Sequence, residues 1–403
     1  MSLLPRSLSA LSLALLPAVA VAQTASLTRA RAIEDVLSRS PRSQVLVADT
    51  AVALAASITA RTTPNPNLTL DYSKDTPNYH IIADYPLGSL FNRGIRVDAA
   101  RFGRDAARYR YQLGRALVAL DADTSYTRAL AATEKSRLSA RTAQDADSLR
   151  AMAIARRNAG DASELDVQLA TVSAAQLGNA AASDSLDAYS ALLELQALLG
   201  LPTDRRVIQL ADSLGDPPAV DTSKAGSLLS IAAADAALKS AILSARVQRR
   251  SLWNSTGITF GVETHDPGGN GNALLPTFGV ALPLPFFDRN HGPIAEAEAE
   301  QKRAEFELSL AQIEANAAVR RAARERAFAV GRIARDRITV AAANQVASMS
   351  LTAYREGAMA LPNVIEAQRT AREALAQYID DLASAWIATA SLRAFSLTAI
   401  PTP

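Results

Sequence analysis

From Asn92 to Asn158 neither a proline nor a pair of glycines interrupts the chain, and no other stretch restricts the possible folds as tightly. Phe102, Tyr109 and Ala116 recur with Ala106, Leu113 and Leu120 at two positions of a heptad, so the segment is expected to be one helix with a narrow packing seam. At ~1.5 Å of rise per residue such a helix is ~100 Å long, a rod that no compact domain needs. Aromatic residues make up only 5% of the chain while alanine runs through the charged stretches. That balance suits helices packed closely through small side chains better than one thick core.

Around this rod the other elements fall into place. Two helices come first, Leu27 to Arg39 and Pro41 to Arg61, the second opening on a proline, which is favoured in a first turn. After Pro64-Asn65-Pro66-Asn67, Leu68, Leu70 and Tyr72 alternate with Thr69, Asp71 and Ser73, the period of a half-buried strand. Beyond the turn cluster 74–78, Tyr79, Ile81, Ala83 and Tyr85 alternate with His80, Ile82 and Asp84, completing a hairpin of roughly ten-residue strands. Gly160 ends the rod, a second helix runs from Ala162 to Leu199, and Gly200-Leu201-Pro202 stops it.

The order then repeats. A helix from Ser227 to Arg250 precedes a strand with Ile258, Phe260 and Val262 on one side, a loop at 266–271, and a returning strand with Phe278, Val280 and Leu282 on one side. Pro86, Gly160, Val167 and Ala170 correspond to Pro283, Gly357, Val364 and Ala367 at one offset of 197 residues (283 − 86, 357 − 160, 364 − 167, 367 − 170). A constant spacing across four separated landmarks points to internal duplication.

Each half thus supplies one strand hairpin and one long helical hairpin. Four strands cannot close a barrel, and a single-chain outer-membrane barrel needs at least about eight. If the apolar strand faces meet lipid, other copies must complete the wall, because open edges in lipid leave backbone groups unpaired. The competing reading is an ordinary antiparallel sheet packed under helices.

Arg6, the apolar run from Leu8 to Val21 and the close on Ala20-Val21-Ala22 form the pattern of a removed secretory signal over residues 1–22. No later run of 18 or more consecutive apolar residues occurs, so a helical membrane span is not expected. The absence of cysteine removes disulfides, thiolate metal sites and attachment of lipid to an N-terminal cysteine. A net charge of +2 is too balanced to imply a nucleic-acid partner. His80, His265 and His291 are the only histidines; none has a neighbour at metal-ligand spacing, so no catalytic residue, metal or cofactor is expected. The glycines of 268–271 join two strands rather than opening a helix and do not form a phosphate cradle.

The residues also resemble a known family. Leu27-Thr28 through Ser40-Pro41 to Pro64-Asn65-Pro66, the run Pro283-Leu284-Pro285-Phe286-Phe287-Asp288-Arg289-Asn290, Gly160-Asp161-Ala162-Ser163-Glu164-Leu165-Asp166-Val167, and Tyr354-Arg355-Glu356-Gly357 continuing to Val364-Ile365-Glu366-Ala367-Gln368-Arg369 are similar, in that order, to segments of TolC-type outer-membrane efflux proteins. Within that family the runs 286–290 and 366–369 resemble most the heavy-metal cation branch.

The resemblance implies a homotrimer in the outer membrane: a twelve-stranded transmembrane β-barrel continuing into an α-helical periplasmic barrel. It also implies docking to a periplasmic adaptor coupled to an inner-membrane pump. The implied layout is a signal at 1–22, equatorial helices at 23–63, barrel hairpins at 64–91 and 253–288, and tunnel hairpins at 92–202 and 289–396. A connector at 203–222, an equatorial helix at 223–252 and a tail at 397–403 complete it. The lipid-facing positions would be Leu68, Leu70, Tyr72, Ile258, Phe260, Val262, Phe278, Val280 and Leu282.

Gly160, Asp161, Gly357 and Ala358 would be the adaptor-docking tips, although a glycine closing a helix is a sufficient explanation for either turn alone. Asp161, Glu164, Asp166, Arg355 and Glu356 are the candidate pore constriction, where acidic rings could select cations or gate by pairing with a base such as Arg355. Carboxylates from 161 to 166 are also ordinary helix-start chemistry, and Ala358 and Met359 stand where some family members carry a gating arginine. The expected function is a passive conduit for small molecules or metal cations. Protein export through the same architecture is one alternative. A coiled-coil adaptor without a pore is the other, and it predicts water on both faces of the strand hairpins.

Overall fold

A computed structural model describes residues 26–75, 78–202, 207–220, 226–264, 274–284 and 286–399. The expected signal, the loop 266–271, Pro285 and His265 lie outside the described residues.

The short helices begin on hydroxyl caps. Thr28 accepts the Arg31 amide to start α1 (Arg29–Arg39), and Ser40 accepts the Arg42 amide to start α2 (Pro41–Arg61), whose first residue is the proline. After β1 (Asn67–Tyr72), β2 (Tyr79–Tyr85) and the single turn α3 (Gly88–Phe91), α4 (Arg93–Asn158) forms an unbroken helix of 66 residues. The hairpin is completed by α5 (Glu164–Leu198), which begins later than the sequence suggests because Ser163 is its cap. The second half has α6 (Leu229–Arg249), a 3-10 turn at Ser251–Trp253, β3 (Gly257–Thr264), β4 (Leu275–Ala281), α7 (His291–Arg355) and α8 (Leu361–Phe395).

Two sequence expectations need correction. The strands have six to eight residues rather than about ten, since Pro64 and Pro66 precede β1 and Pro86 withdraws a donor immediately after β2. Leu282 therefore lies just beyond β4, and residues 88–91 of the first barrel segment are helical. The second correction concerns α2, a helix of 21 residues with a mean hydropathy of 1.4 over its most apolar window, long and apolar enough to cross a bilayer by composition. Asp49, Thr50, Ser57 and Thr59 break its runs of consecutive apolar residues, which hid this from a simple count.

The helices meet through alanine. Ala122, Ala129, Ala153, Ala170 and Ala385 are essentially solvent-free, which lets backbones approach closely. At the waist, Ala32 and Val36 of α1 pack on Val118, Tyr126 and Leu130 of α4 and on Leu195 of α5. A polar belt ties these elements together. Arg29 pairs with Asp123 and lies 3.9 Å from the centre of the Trp386 ring, while the Tyr126 hydroxyl donates at 2.8 Å to Asp212 and the Leu27 carbonyl. Burial, with the Asp212 carboxylate beside it, pushes the Tyr126 phenol up. Residues 207–220 of the connector cross α7 and α8, fastened by Trp386 to the Gly215 carbonyl at 2.7 Å and by Arg337 to Asp216.

The four strands form one antiparallel sheet in the order β1-β2-β3-β4. Strand pairing aligns Leu70 with Ile81 and Val262, and Leu68 with Ala83, Phe260 and Phe278.

Candidate functional site

The candidate residues gather in two places, the turns at the far end of the helical hairpins and the sheet.

Both turns have the same backbone construction. Gly160 has φ +87° and Gly357 φ +77°, in the left-handed region that a Cβ opposes. The amide of Asp161 bonds the Arg156 carbonyl at 2.9 Å, and that of Ala358 bonds the Ala353 carbonyl at 2.8 Å, each closing over the last orphan carbonyls of its helix. The turns differ in how the next helix starts. Ser163 and Asp166 form a reciprocal capping box, whereas Ala360 offers no side-chain cap and α8 relies on a proline in its first turn.

These bonds account for part of the predicted acidic set. Asp166 is committed to the Ser163 amide at 3.0 Å. Glu164 accepts from Gln168 at 2.9 Å and Arg157 at 2.8 Å, and those two donors hold its carboxyl below the usual range. Asp161, Arg355, Glu356 and Ala358 are exposed, and among the described residues no ion pair joins Arg355 to any tip carboxylate.

The base that reaches across is Arg156. Its guanidinium donates to the Tyr354 carbonyl at 2.5 Å and to the Asp161 carbonyl at 3.4 Å, and stacks 4.7 Å from the centre of the Tyr354 ring. Tyr354 is buried among Leu149, Ala153, Val167, Leu361 and Val364; its hydroxyl has no hydrogen-bond partner, and burial pushes the phenol up. In the sequence Arg156 reads only as a basic residue near a helix C-terminus, and which carbonyl it finds depends on how the two hairpins pack. Beside the turns, a groove of about 600 Å³ runs between the four long helices, walled by Leu149, Met152, Val172 and Leu351 with Arg355 and Arg369 at its rim.

The sheet separates its residues by chemistry. One face carries Leu68, Leu70, Tyr72, Ile258, Phe260, Val262, Phe278 and Val280 together with Tyr79, Ile81, Ala83 and Tyr85. Phe260 and Phe278 meet edge to face at 5.8 Å and Tyr72 meets Tyr79 at 5.1 Å. This face is bare: Leu70 is 67% exposed and Phe278 74%. The opposite face carries Thr69, Asp71, His80, Asp84, Thr259, Glu263 and Thr277 with glycines and two large apolar residues, Ile82 and Leu275, and no lysine or arginine occurs in any of the four strands. His80 sits 3.4 Å from Glu263. Among the described residues no group of three His, Cys, Asp or Glu side chains could hold a metal ion.

No family model matches the sequence, and no curated protein does. Solved structures match it along nearly the whole chain. The outer membrane protein VceC from Vibrio cholerae is 15% identical over 92% of this chain and 96% of its own, with a TM-score of 0.73. CusC, whose structures describe folding and transmembrane channel formation, is 15% identical over 92% of each chain with a TM-score of 0.76. The MtrE outer membrane channel of Neisseria gonorrhoeae in its open state is 16% identical over 91% of this chain and 88% of its own, with a TM-score of 0.71. The fold is that of these outer-membrane channel proteins. Within this channel fold the bare apolar face belongs to the strands, and the paired glycine turns and Arg156 lie at the opposite pole of the rods.

Proposed function

We propose that the chain is one subunit of a homotrimeric outer-membrane channel, the passive exit duct of a tripartite efflux system for small molecules or metal cations. The observation that carries this reading is the sheet, with one continuous apolar face left bare and both outer strands, β1 and β4, paired on one side only. A bilayer requires such a face and forbids such edges. Three copies joined edge to edge make twelve strands and remove every edge. The same pattern weakens the adaptor alternative, which needs water on both faces. The acidic inner face would favour cations.

The helices support the same assembly. We read the two halves as copies of one unit, so that α2 and α6 are counterparts. α6 packs between α4 and α7, but α2 packs on α4 and only lightly on α1. Its Val45, Val52 and Ile58 are left bare, as are Phe306, Leu310 and Ile313 on α7. A second copy supplying its α7 would seat α2 as α6 is already seated. The bilayer-compatible composition of α2 then serves a contact between subunits.

At the other pole, the two turns and the groove beside them would receive a periplasmic adaptor, with an inner-membrane pump providing the energy. Because the chain has no cysteine, paired cysteines test closure cleanly. Oxidation of Thr69→Cys/Thr277→Cys and Asp71→Cys/Leu275→Cys variants in outer-membrane fractions should yield covalent trimers, and the purified protein should conduct in a planar bilayer. Monomers that neither cross-link nor conduct would overturn the reading. Asp161→Ala or Glu356→Ala should raise the conductance if these side chains narrow the tip; no change in either removes them from the constriction.

A further inference from the structure

All four passages between strand and helix lie at one end of the sheet, and they are stitched to one another. The Asn92 amide donates to the Arg250 carbonyl at 3.1 Å and to Asn254 at 2.8 Å. Asn290, the single non-glycine residue at positive φ among the described residues, donates to the Gln248 carbonyl at 3.1 Å and to Ser251 at 2.5 Å. Arg93 donates to the Arg61 carbonyl at 3.0 Å, and a Cβ on Gly88 would stand 1.7 Å from the Trp253 carbonyl oxygen. Residues 61, 88–93, 248–254 and 286–290 therefore form one rigid collar.

What the collar displays is unlike the rest of the surface. Phe91, Trp253, Phe286 and Phe287 are all exposed, Phe287 completely, and none is needed by any packing contact of the core. Beside them stand Arg93, Arg250 and Arg289, exposed and without an ion pair among the described residues. Arg249 is neutralised by Glu298 at 2.8 Å, and Asp288 is the one carboxylate in the three segments 88–93, 248–254 and 286–290.

Aromatic rings prefer the boundary between hydrocarbon and headgroups, and guanidinium is matched to phosphate in shape and charge. We propose that this collar is a binding surface for anionic phospholipid headgroups of the leaflet facing the helical rods, the rings entering the boundary and Arg93, Arg250 and Arg289 holding phosphates. The assignment rests on the barrel reading above, because it needs the apolar sheet face to be in lipid.

The test reconstitutes the full chain in phosphatidylcholine vesicles with and without phosphatidylglycerol, measures conductance, and then quantifies the lipid retained through detergent extraction. Wild type should retain phosphatidylglycerol over phosphatidylcholine. Arg93→Gln, Arg250→Gln and Arg289→Gln should each lower that preference roughly fivefold, from ~1 kcal/mol per basic residue near an anionic surface, with conductance unchanged. Phe286→Ser/Phe287→Ser should lower retention of both lipids alike. Insertion and conductance with no lipid preference, or a preference that survives all three arginine changes, overturns the collar assignment alone. Failure to insert into either vesicle overturns the barrel reading and this assignment with it.

Discussion

The two helical turns share a backbone shape and are fastened by opposite means. The first holds itself: its capping box is local, Glu164 bonds Arg157 and Gln168 within a few residues, and Leu165 points outward at 66% exposure. The second is held by its neighbours, with Leu361, Val364 and Tyr354 buried against α4 and α5 and Arg156 of α4 clamping the Tyr354 carbonyl. A turn secured by its own hydrogen bonds can shift as a unit, whereas a turn secured by burial moves only if the interface between hairpins opens.

The sharpest way to break this contrast is Leu361→Ala. Its side chain is 1% exposed, so we expect a loss of about 2–4 kcal/mol in denaturant unfolding, with faster hydrogen exchange confined to the second turn. Glu164→Ala, at the equivalent place in the first turn, should leave exchange of the second turn untouched. Similar losses from both would remove the distinction.

Gly160→Ala and Gly357→Ala should each cost about 1–2 kcal/mol, and equally, because the left-handed backbone is common to both turns and neither added methyl meets an obstacle closer than 3.5 Å. A clear inequality in thermal unfolding would show that one turn relaxes into another conformation. Ser163→Ala should cost about 1 kcal/mol and loosen only the first turn. Arg156→Gln should loosen the second turn more than the first, since its bond to the Tyr354 carbonyl is 2.5 Å and that to the Asp161 carbonyl 3.4 Å.

The smallest effects are in the response to pH. Tyr354→Phe should be neutral or stabilising, since it deletes a buried hydroxyl that has no partner. The raised Tyr354 phenol binds its proton more tightly in the folded protein. Wild type should therefore lose stability as pH rises above the ordinary tyrosine value near ~10, and the variant should lose less; identical alkaline profiles would refute this. Asp336 behaves alike at lower pH, its carboxyl pushed up by burial and by the Asp381 carboxylate beside it. Stability from its proton is present below the ordinary aspartate value near ~4 and is lost as pH rises through the raised value, so Asp336→Asn should flatten that limb. Glu164 runs the other way, with stability present above its ordinary value and lost as pH falls through the lowered one.

Much of this was legible before any coordinates. The uninterrupted stretch before Gly160, the alternation at Leu68, Leu70 and Tyr72, and the offset shared by Gly160 and Gly357 are local or periodic signals, and α4, β1 and the two glycine turns stand where these signals put them, although the strands are shorter than their alternation suggests. Arg156 was not legible, because a basic residue in a last turn is ordinary and its partner is almost two hundred residues away. Arg29 between Asp123 and Trp386 was hidden for the same reason. The charges proposed for the constriction were visible as residue types, but not that Asp166 and Glu164 are spent on bonds within their own turn.

The sequence alone determined the rods, the strands and the glycine turns, since helix continuity, strand period and left-handed glycine turns depend on neighbours within a few residues. Only the tertiary structure decided that β2 pairs with β3, which merges two hairpins into one sheet with a single apolar face. It alone showed that α2 lacks the second neighbour that α6 has. Both depend on long-range pairing, whose energy comes from surfaces brought together across the whole chain and leaves no periodic mark in the residues on either side.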